Sequence, residues 1–245
     1  MKKQILAMNR LDKCFAIIVA GGSGRRFGGD LPKQFVNLGG KPVVLHSLET
    51  FAASPLVESI VLVVPEEFLG FCREVMADLP KLAEIVPGGE TRRQSVYNGL
   101  CVLPVLDEGK IVLVHDGARP FVTQNDIKAV AKGASCHGAA TLAIPVTDTI
   151  KQVDDRKFMR VKATLRREGL FMAQTPQGFR KNILMQAHEA ANPNAPTETD
   201  DCQLVEKMGI MPKILAGSGR NIKITLDVDL ALAEILLKKP PKGSD

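Results

Sequence analysis

One stretch constrains this chain more than any other: Phe15 to Phe35, FAIIVAGGSGRRFGGDLPKQF. It opens with Phe15-Ala16-Ile17-Ile18-Val19-Ala20, an apolar run rich in β-branched residues and bounded by glycines. Such a run reads as a strand buried on both faces. It gives way to Gly21-Gly22-Ser23-Gly24, where side chains almost vanish. Glycine lets a ligand approach the backbone, and bare N–H groups in such a loop can cradle phosphate oxygens. Three cations follow: Arg25, Arg26 and, past Pro32, Lys33. The alternative is a tight strand-to-helix turn with solvated basic residues. The coincidence of clustered glycine with clustered positive charge favours a polyphosphate ligand.

Two familiar phosphate loops fit poorly. No G-x-x-x-x-G-K-[ST] string occurs in the chain. The dinucleotide fingerprint starts well with Gly22 and Gly24 but meets Phe27 where its third glycine belongs. An NAD-dependent oxidoreductase would also need an acid closing the second strand, and Val64-Pro65-Glu66 is a poor match.

The rest of the chain supports an α/β reading. Ser59 to Val64, Glu84 to Val86, Lys110 to Val114 and Gly138 to Val146 read as strands. Helices are expected from Lys41-Pro42 through Phe51, from Glu66 to Leu79, from Thr91 to about Leu103 and from Thr123 to Ser135. Alternation with short loops implies a mostly parallel sheet covered on both faces. The expected organisation is one Rossmann-like three-layer domain over residues 1–245, with a frayed lead-in before residue 14 and a flexible tail over 238–245. Further strands are expected at Ile214 to Ala216 and at Asn221 to Thr225, and helices at Arg180 to Ala191 and Asp227 to Leu237. Thr199-Asp200-Asp201 reads as a helix cap.

Several residues attract chemistry. Gly88-Gly89 precedes Thr91-Arg92-Arg93, so it is either a capped strand-to-helix turn or a second glycine-hydroxyl-cation site. Asp116 ends a central strand, where ligands of parallel sheets bind. It suits a Mg²⁺ or a ribose hydroxyl, or pairs with Arg119 to shape the turn. His115 reads as a packing or locally bonded residue. Lys223, between two isoleucines, either snorkels from an edge strand or points into the site. Thr147 to Lys162 is polar and alternating around Asp154-Asp155, as in an exposed β-hairpin. Such a hairpin is hard to stabilise alone, which leaves contact with another subunit or a solvent-exposed meander.

Composition excludes other classes. The net charge of +5 is too weak to argue for nucleic acid. With no Trp and one Tyr there is no platform for stacked bases. Five scattered cysteines without a CxxC pair fit reduced thiols in a cytoplasm. No stretch approaches the ~20 apolar residues of a membrane span, and the first 13 residues lack the apolar core of a signal peptide.

Taken together, AGGSGRRFGGDLPKQF, VHDGARPFV, PVTDTI, LRREGLFMAQTPQGF, TDDCQLVE and NIKIT resemble the 2-C-methyl-D-erythritol 4-phosphate cytidylyltransferases. The resemblance runs from about residue 14 to 237. It implies a nucleotidyltransferase fold with a protruding hairpin arm at about 147–165, transfer from CTP to methylerythritol 4-phosphate, Mg²⁺ and a homodimer. It implies Arg26, Lys33 and Lys223 as catalytic cations on the phosphates. Ala20, Gly21, Gly22, Gly24, Gly89, Ser95, Asp116 and Gly117 would bind CTP. Thr149, Arg167 and Thr175 would bind the alcohol phosphate, the first two from the partner's arm. Mg²⁺ would sit mainly on CTP phosphates, with Asp116 as its protein ligand. Gly117 stands where the family often has Ala, and the turn Gly217 to Arg220 differs from the usual one. The ribitol 5-phosphate cytidylyltransferases share the first motifs and are the alternative; LRREGL fits them less well. Some relatives carry a fused cyclase; a chain ending at residue 245 is expected to have one activity.

Overall fold

The computed structural model describes residues 12–22, 31–104, 109–155, 157–192 and 198–239. Its centre is a seven-stranded sheet. In chain order its members are β1 (Cys14–Val19), β4 (Val57–Val64), β5 (Leu82–Pro87), β6 (Ile111–Asp116), β7 (Ala139–Pro145), β10 (Phe171–Arg180) and β11 (Lys213–Ala216). They lie in the order β11-β7-β10-β6-β1-β4-β5. Neighbours run parallel except around β10, which is antiparallel to both β6 and β7.

The apolar run at the start of the chain explains the layers. Side chains alternate across a strand, so Cys14, Ala16 and Ile18 enter one core while Phe15 and Ile17 enter the other. The first core takes Val44, Leu48 and Phe51 of α1 (Val43–Ala53), Cys72 of α2 (Leu69–Val75), and Ile127, Val130 and Ala134 of α4 (Gln124–His137). The second takes Val96 and Leu100 of α3 (Arg92–Cys101), Leu184 and Ala187 of α5 (Lys181–Glu189), and Leu204 and Val205 of α6 (Asp201–Lys207). A strand clothed by helices on both faces has no solvent side to mark with polar residues, hence its continuous apolar sequence. Gly99 lets α3 sit close to the sheet; a Cβ there would lie 2.7 Å from Ile17 Cγ2.

Local chemistry sets the helix starts. Thr91 caps α3 by accepting the N–H of Gln94 at 3.1 Å. Thr123 and Asp126 form a reciprocal capping box on α4. Asp200 caps α6 through the N–H of Gln203 at 3.0 Å. Each satisfies a donor that the helix itself leaves unpaired.

Some expectations need correction. Asn221 to Thr225 is not a strand. Asn221 and Ile224 are fully buried, and the segment is held by Ile224 N–H on Ala118 O at 2.9 Å and Asn221 Nδ2 on Thr175 O at 2.8 Å. Its alternating isoleucines report burial, while an Asn side chain replaces the ladder as the anchor. β10 was not anticipated as a strand, because Gln174, Thr175, Pro176 and Gln177 break the apolar pattern; a register shift between Gln174 and Gln177 carries them. Lys41-Pro42 forms the short strand β3, paired with β2 (Asn37–Leu38), and α1 begins only at Val43. The expected helix from Glu66 is a 3₁₀ turn, Glu66–Phe68, followed by α2.

β8 (Ile150–Val153) and β9 (Val161–Leu165) form an antiparallel hairpin as a separate two-stranded sheet. Phe158 and Met159 near its turn are 63% and 67% exposed. The last helix is α7 (Asp227–Lys238). Arg220 donates to Leu236 O and Lys239 O at its C-terminal end, which is where the unusual Gly217–Arg220 turn directs its cation.

Candidate active site

The carboxyl ends of β1 and β6, the β5–α3 loop and the segment after Asn221 surround a cleft of about 660 Å³. Ala20, Gly21, Gly22, Lys33, Gly89, Ser95, Asp116 and Lys223 line it. The two glycine segments meet over Ser95: a Cβ on Gly21 or on Gly88 would lie 3.1 or 3.0 Å from its Oγ. Ser95 Oγ donates to Thr91 O and accepts the N–H of Gly89. Thr91 is thus a cap and a cleft-lining residue at once, so the two readings of this turn coexist.

Asp116 is 8% exposed and sits among three cations. Arg92 Nε donates to its Oδ1 at 3.3 Å, and Lys223 Nζ to its Oδ2 at 2.8 Å. Arg119 Nε lies 3.7 Å from Oδ2. Burial pushes this carboxyl's pKa up, and Arg92, Lys223 and Arg119 together more than reverse that, holding it far below the usual carboxylate range. Lys223 therefore points into the site, while Arg119 both faces Asp116 and binds Asn221 O at 2.7 Å.

Behind Asp116 lies a buried relay. Thr175 Oγ accepts the N–H of Asp116 and lies 3.0 Å from His115 Nδ1. His115 Nε2 is 3.1 Å from Arg119 O. With the ring proton on Nε2, every one of these contacts is a hydrogen bond. Burial lowers the His115 pKa to about 4, against the pull of Asp116, so the ring is neutral near pH 7. Gly117 is also buried, and its N–H bonds Val19 O at 2.8 Å, tying the ends of β1 and β6 together. Neither Thr175 nor Gly117 lines the cleft.

Thr149 and Arg167 are exposed on the hairpin side of the molecule and do not line it either. Arg167 Nη1 donates to Thr147 O at 2.6 Å. Gly24 and Arg26 lie outside the described residues.

Sequence reasoning passed over Gln34, the pairing of Arg92 and the role of Asp201. Buried Gln34 donates to Ala20 O at 2.5 Å and to Gly22 O at 2.9 Å, clasping the start of the glycine loop to the Pro32–Lys33 end. Arg92 was read only as a cation near a helix start. Asp201, read as part of a cap, instead accepts Arg92 Nη1 at 2.6 Å. The doubled acid Asp200-Asp201 was the available signal: one carboxylate suffices for a cap.

The donor set does not fit a protein-held metal ion. Both oxygens of Asp116 already take cationic donors, and no group of three or more His, Cys, Asp or Glu among the described residues could hold one.

Comparison with known proteins adds a second line of argument. A family model described as 2-C-methyl-D-erythritol 4-phosphate cytidylyltransferase (IspD) matches residues 14–239. The chain is 47% identical to a protein of that name from Pelotomaculum thermopropionicum, over 93% of this chain and 95% of that one. It is 41% identical to a protein of the same name from Geobacter metallireducens, over 92% and 97%. The crystal structure of the 4-diphosphocytidyl-2C-methyl-D-erythritol synthase from Anaerococcus prevotii superposes with a TM-score of 0.83 at 29% identity, covering 95% of this chain and 99% of that one.

Proposed function

The chain belongs to the 2-C-methyl-D-erythritol 4-phosphate cytidylyltransferase family, and on that premise we infer that it transfers a cytidylyl group from CTP to 2-C-methyl-D-erythritol 4-phosphate. The products are 4-diphosphocytidyl-2-C-methyl-D-erythritol and pyrophosphate, within non-mevalonate isoprenoid biosynthesis. The observation that carries this reading is the cleft itself: a glycine-edged rim, Lys33 and Lys223 on the lining, and a strand-end Asp116 between cations.

Mg²⁺, when bound, would be carried by the nucleotide rather than by side chains and would supply charge neutralisation on the phosphates. Gly21, Gly22 and Gly24 offer backbone to the triphosphate; Gly89 and Ser95 face the base; Asp116 sets the ribose, with Gly117 tying its strand end to β1. An oxygen of the acceptor's phosphate attacks the α-phosphorus. A new P–O bond forms, the α–β bridging P–O bond breaks, and pyrophosphate leaves with the electron pair. The nucleophile is already anionic near neutral pH, so no general base is required. Positioning and charge neutralisation carry the catalysis. Arg26, Lys33 and Lys223 supply the positive charge where negative charge builds up.

The acceptor's phosphate is held by Thr149 and Arg167, delivered by the hairpin of a second copy in a homodimer, while Thr175, whose buried hydroxyl is taken by the Asp116 N–H and His115, supports Asp116 from behind. Two features support that dimer. The hairpin is a two-stranded sheet apart from the central one, and such hairpins are marginal alone. Near its turn it exposes Phe158 and Met159. A cytoplasmic location agrees with five unpaired cysteines, and no helix among the described residues is long and apolar enough to cross a membrane.

Pyrophosphate release tests the assignment. With Mg²⁺ and CTP, release is expected with methylerythritol 4-phosphate and not with ribitol 5-phosphate. Release with ribitol 5-phosphate alone would move the protein to the alternative substrate, and release with neither would refute the reading.

A further inference from the structure

We propose that Asp201 is a positioning residue for nucleotide binding, acting through Arg92 on Asp116. The proposal rests on the reading that CTP occupies the cleft. Asp201 does not line that cleft and is only 1% exposed. Its neighbour Asp200 does the helix-capping, and Asp200 Oδ2 also accepts Gln177 Nε2 at 2.8 Å. The Asp201 N–H is fixed by Gln177 Oε1 at 3.2 Å. Its carboxylate is thus released from any duty in α6. It faces Arg92 Nη1 at 2.6 Å and His188 Nε2 at 3.3 Å.

A buried carboxylate is expensive unless paired. Here the pairing divides the Arg92 fork. Nη1 goes to Asp201, Nε goes to Asp116 Oδ1 at 3.3 Å, and Nη2 is buried with no hydrogen-bond partner among the described residues. The count of charges makes the division necessary. Arg92, Arg119 and Lys223 all address Asp116, three cations to one carboxylate. Asp201 supplies the second anion and holds Arg92 back from Asp116. Without that charge, Arg92 keeps one anionic partner and closes on it with two nitrogens, the preferred geometry of a guanidinium on a carboxylate. Asp116 is then drawn away from Lys223 and its Oδ1 is covered. The carboxylate at the cleft wall is lost to the nucleotide although the residue itself is intact.

Asp201→Asn keeps the shape and removes the charge. CTP affinity, measured by calorimetry, is expected to fall about tenfold, the low end for one charged hydrogen bond. The KM for the acceptor phosphate should stay unchanged. Asp201→Glu, which retains the charge, should recover much of the loss. In a double-mutant cycle, adding Asp201→Asn to Asp116→Asn should weaken CTP binding no further, because Asp201 acts only through Asp116. A purely structural role would lower the unfolding midpoint and raise both KM values together, and that result would overturn the proposal. So would unchanged CTP affinity, or additive effects in the cycle. Should Asp201→Asn not fold, Asp201→Ser removes the same charge with a smaller polar side chain, with the same selective loss of CTP affinity expected and unchanged affinity refuting it. If the wild-type protein itself does not bind CTP, the functional reading has failed; if it binds and Asp201→Asn binds equally well, only this proposal has.

Discussion

Asp116 and Arg167 are both charged residues proposed to meet substrate, yet the chain treats them in opposite ways. Asp116 is held from every side before any ligand arrives: its N–H by Thr175 and its carboxylate by Arg92 and Lys223. Arg167 is exposed and bonds the carbonyl of Thr147, at the base of a hairpin that forms a sheet of its own. The cleft is organised by contacts within the chain, and such preorganisation is what lets polar groups stabilise charge effectively. Among the described residues the hairpin has no comparable support, which is why the proposed function has a second copy set its geometry. On the proposed function, the described part of the cleft is set by the chain's own contacts and the acceptor site waits on a second copy.

The largest effect should follow from Lys33→Ala. If the cleft supplies the catalytic charge, kcat falls about 10²–10³-fold with the fold intact, measured by pyrophosphate release alongside circular dichroism. A near-normal kcat would break the contrast by removing the cleft's chemical role.

Acid should next separate the two regions. The unfolded-state pKa of His115 is near 6.5 and its folded pKa about 4, so the unfolded chain binds more protons between those values. Stability is complete above pH 6.5 and falls as pH drops toward 4. Asp116, depressed by its cations, adds a further loss below its ordinary value near 3.8. Urea midpoints taken across pH 7 to 4 should decline, and His115→Gln should flatten the upper part of that slope. A slope unchanged by the substitution would contradict the neutral relay behind Asp116.

Arg167→Ala tests the other region. Loss of a charged phosphate contact, about 1.5–3 kcal/mol, should raise the KM for methylerythritol 4-phosphate tenfold or more and leave the KM for CTP and the unfolding midpoint alone. The smallest effect belongs to Thr91→Ala, where the lost cap should lower stability by about 1 kcal/mol; because Thr91 O also accepts Ser95 Oγ through the backbone, CTP affinity should change little.

How much of this could be read in the sequence follows the same division. β1, β4 and β6 were legible because burial on both faces writes itself as an unbroken apolar run. The glycine rim, Lys33, Asp116 and Lys223 sit directly after such runs or in quoted motifs, and the structure gathers all of them, within the described residues, around one cleft. β10 was not legible, since its buried Gln174, Thr175 and Gln177 earn their places through partners elsewhere in the fold. Asn221 to Thr225 misled for the converse reason: alternating isoleucines look like a ladder even where an Asn side chain supplies the bonds. The link from Asp201 to Arg92 spans 109 positions, and no local pattern announces a partner so distant.

Subunit mixing tests the central claim, that a finished cleft on one chain is completed by a hairpin from another. Lys33→Ala and Arg167→Ala variants, each nearly inactive at low acceptor concentration, are combined in equal amounts and allowed to exchange. In a mixed pair one cleft keeps Lys33 and receives an intact Arg167, so random pairing restores roughly a quarter of wild-type activity. Activity that stays at the mean of the two separate variants would contradict the account and place the arm beside its own chain's cleft.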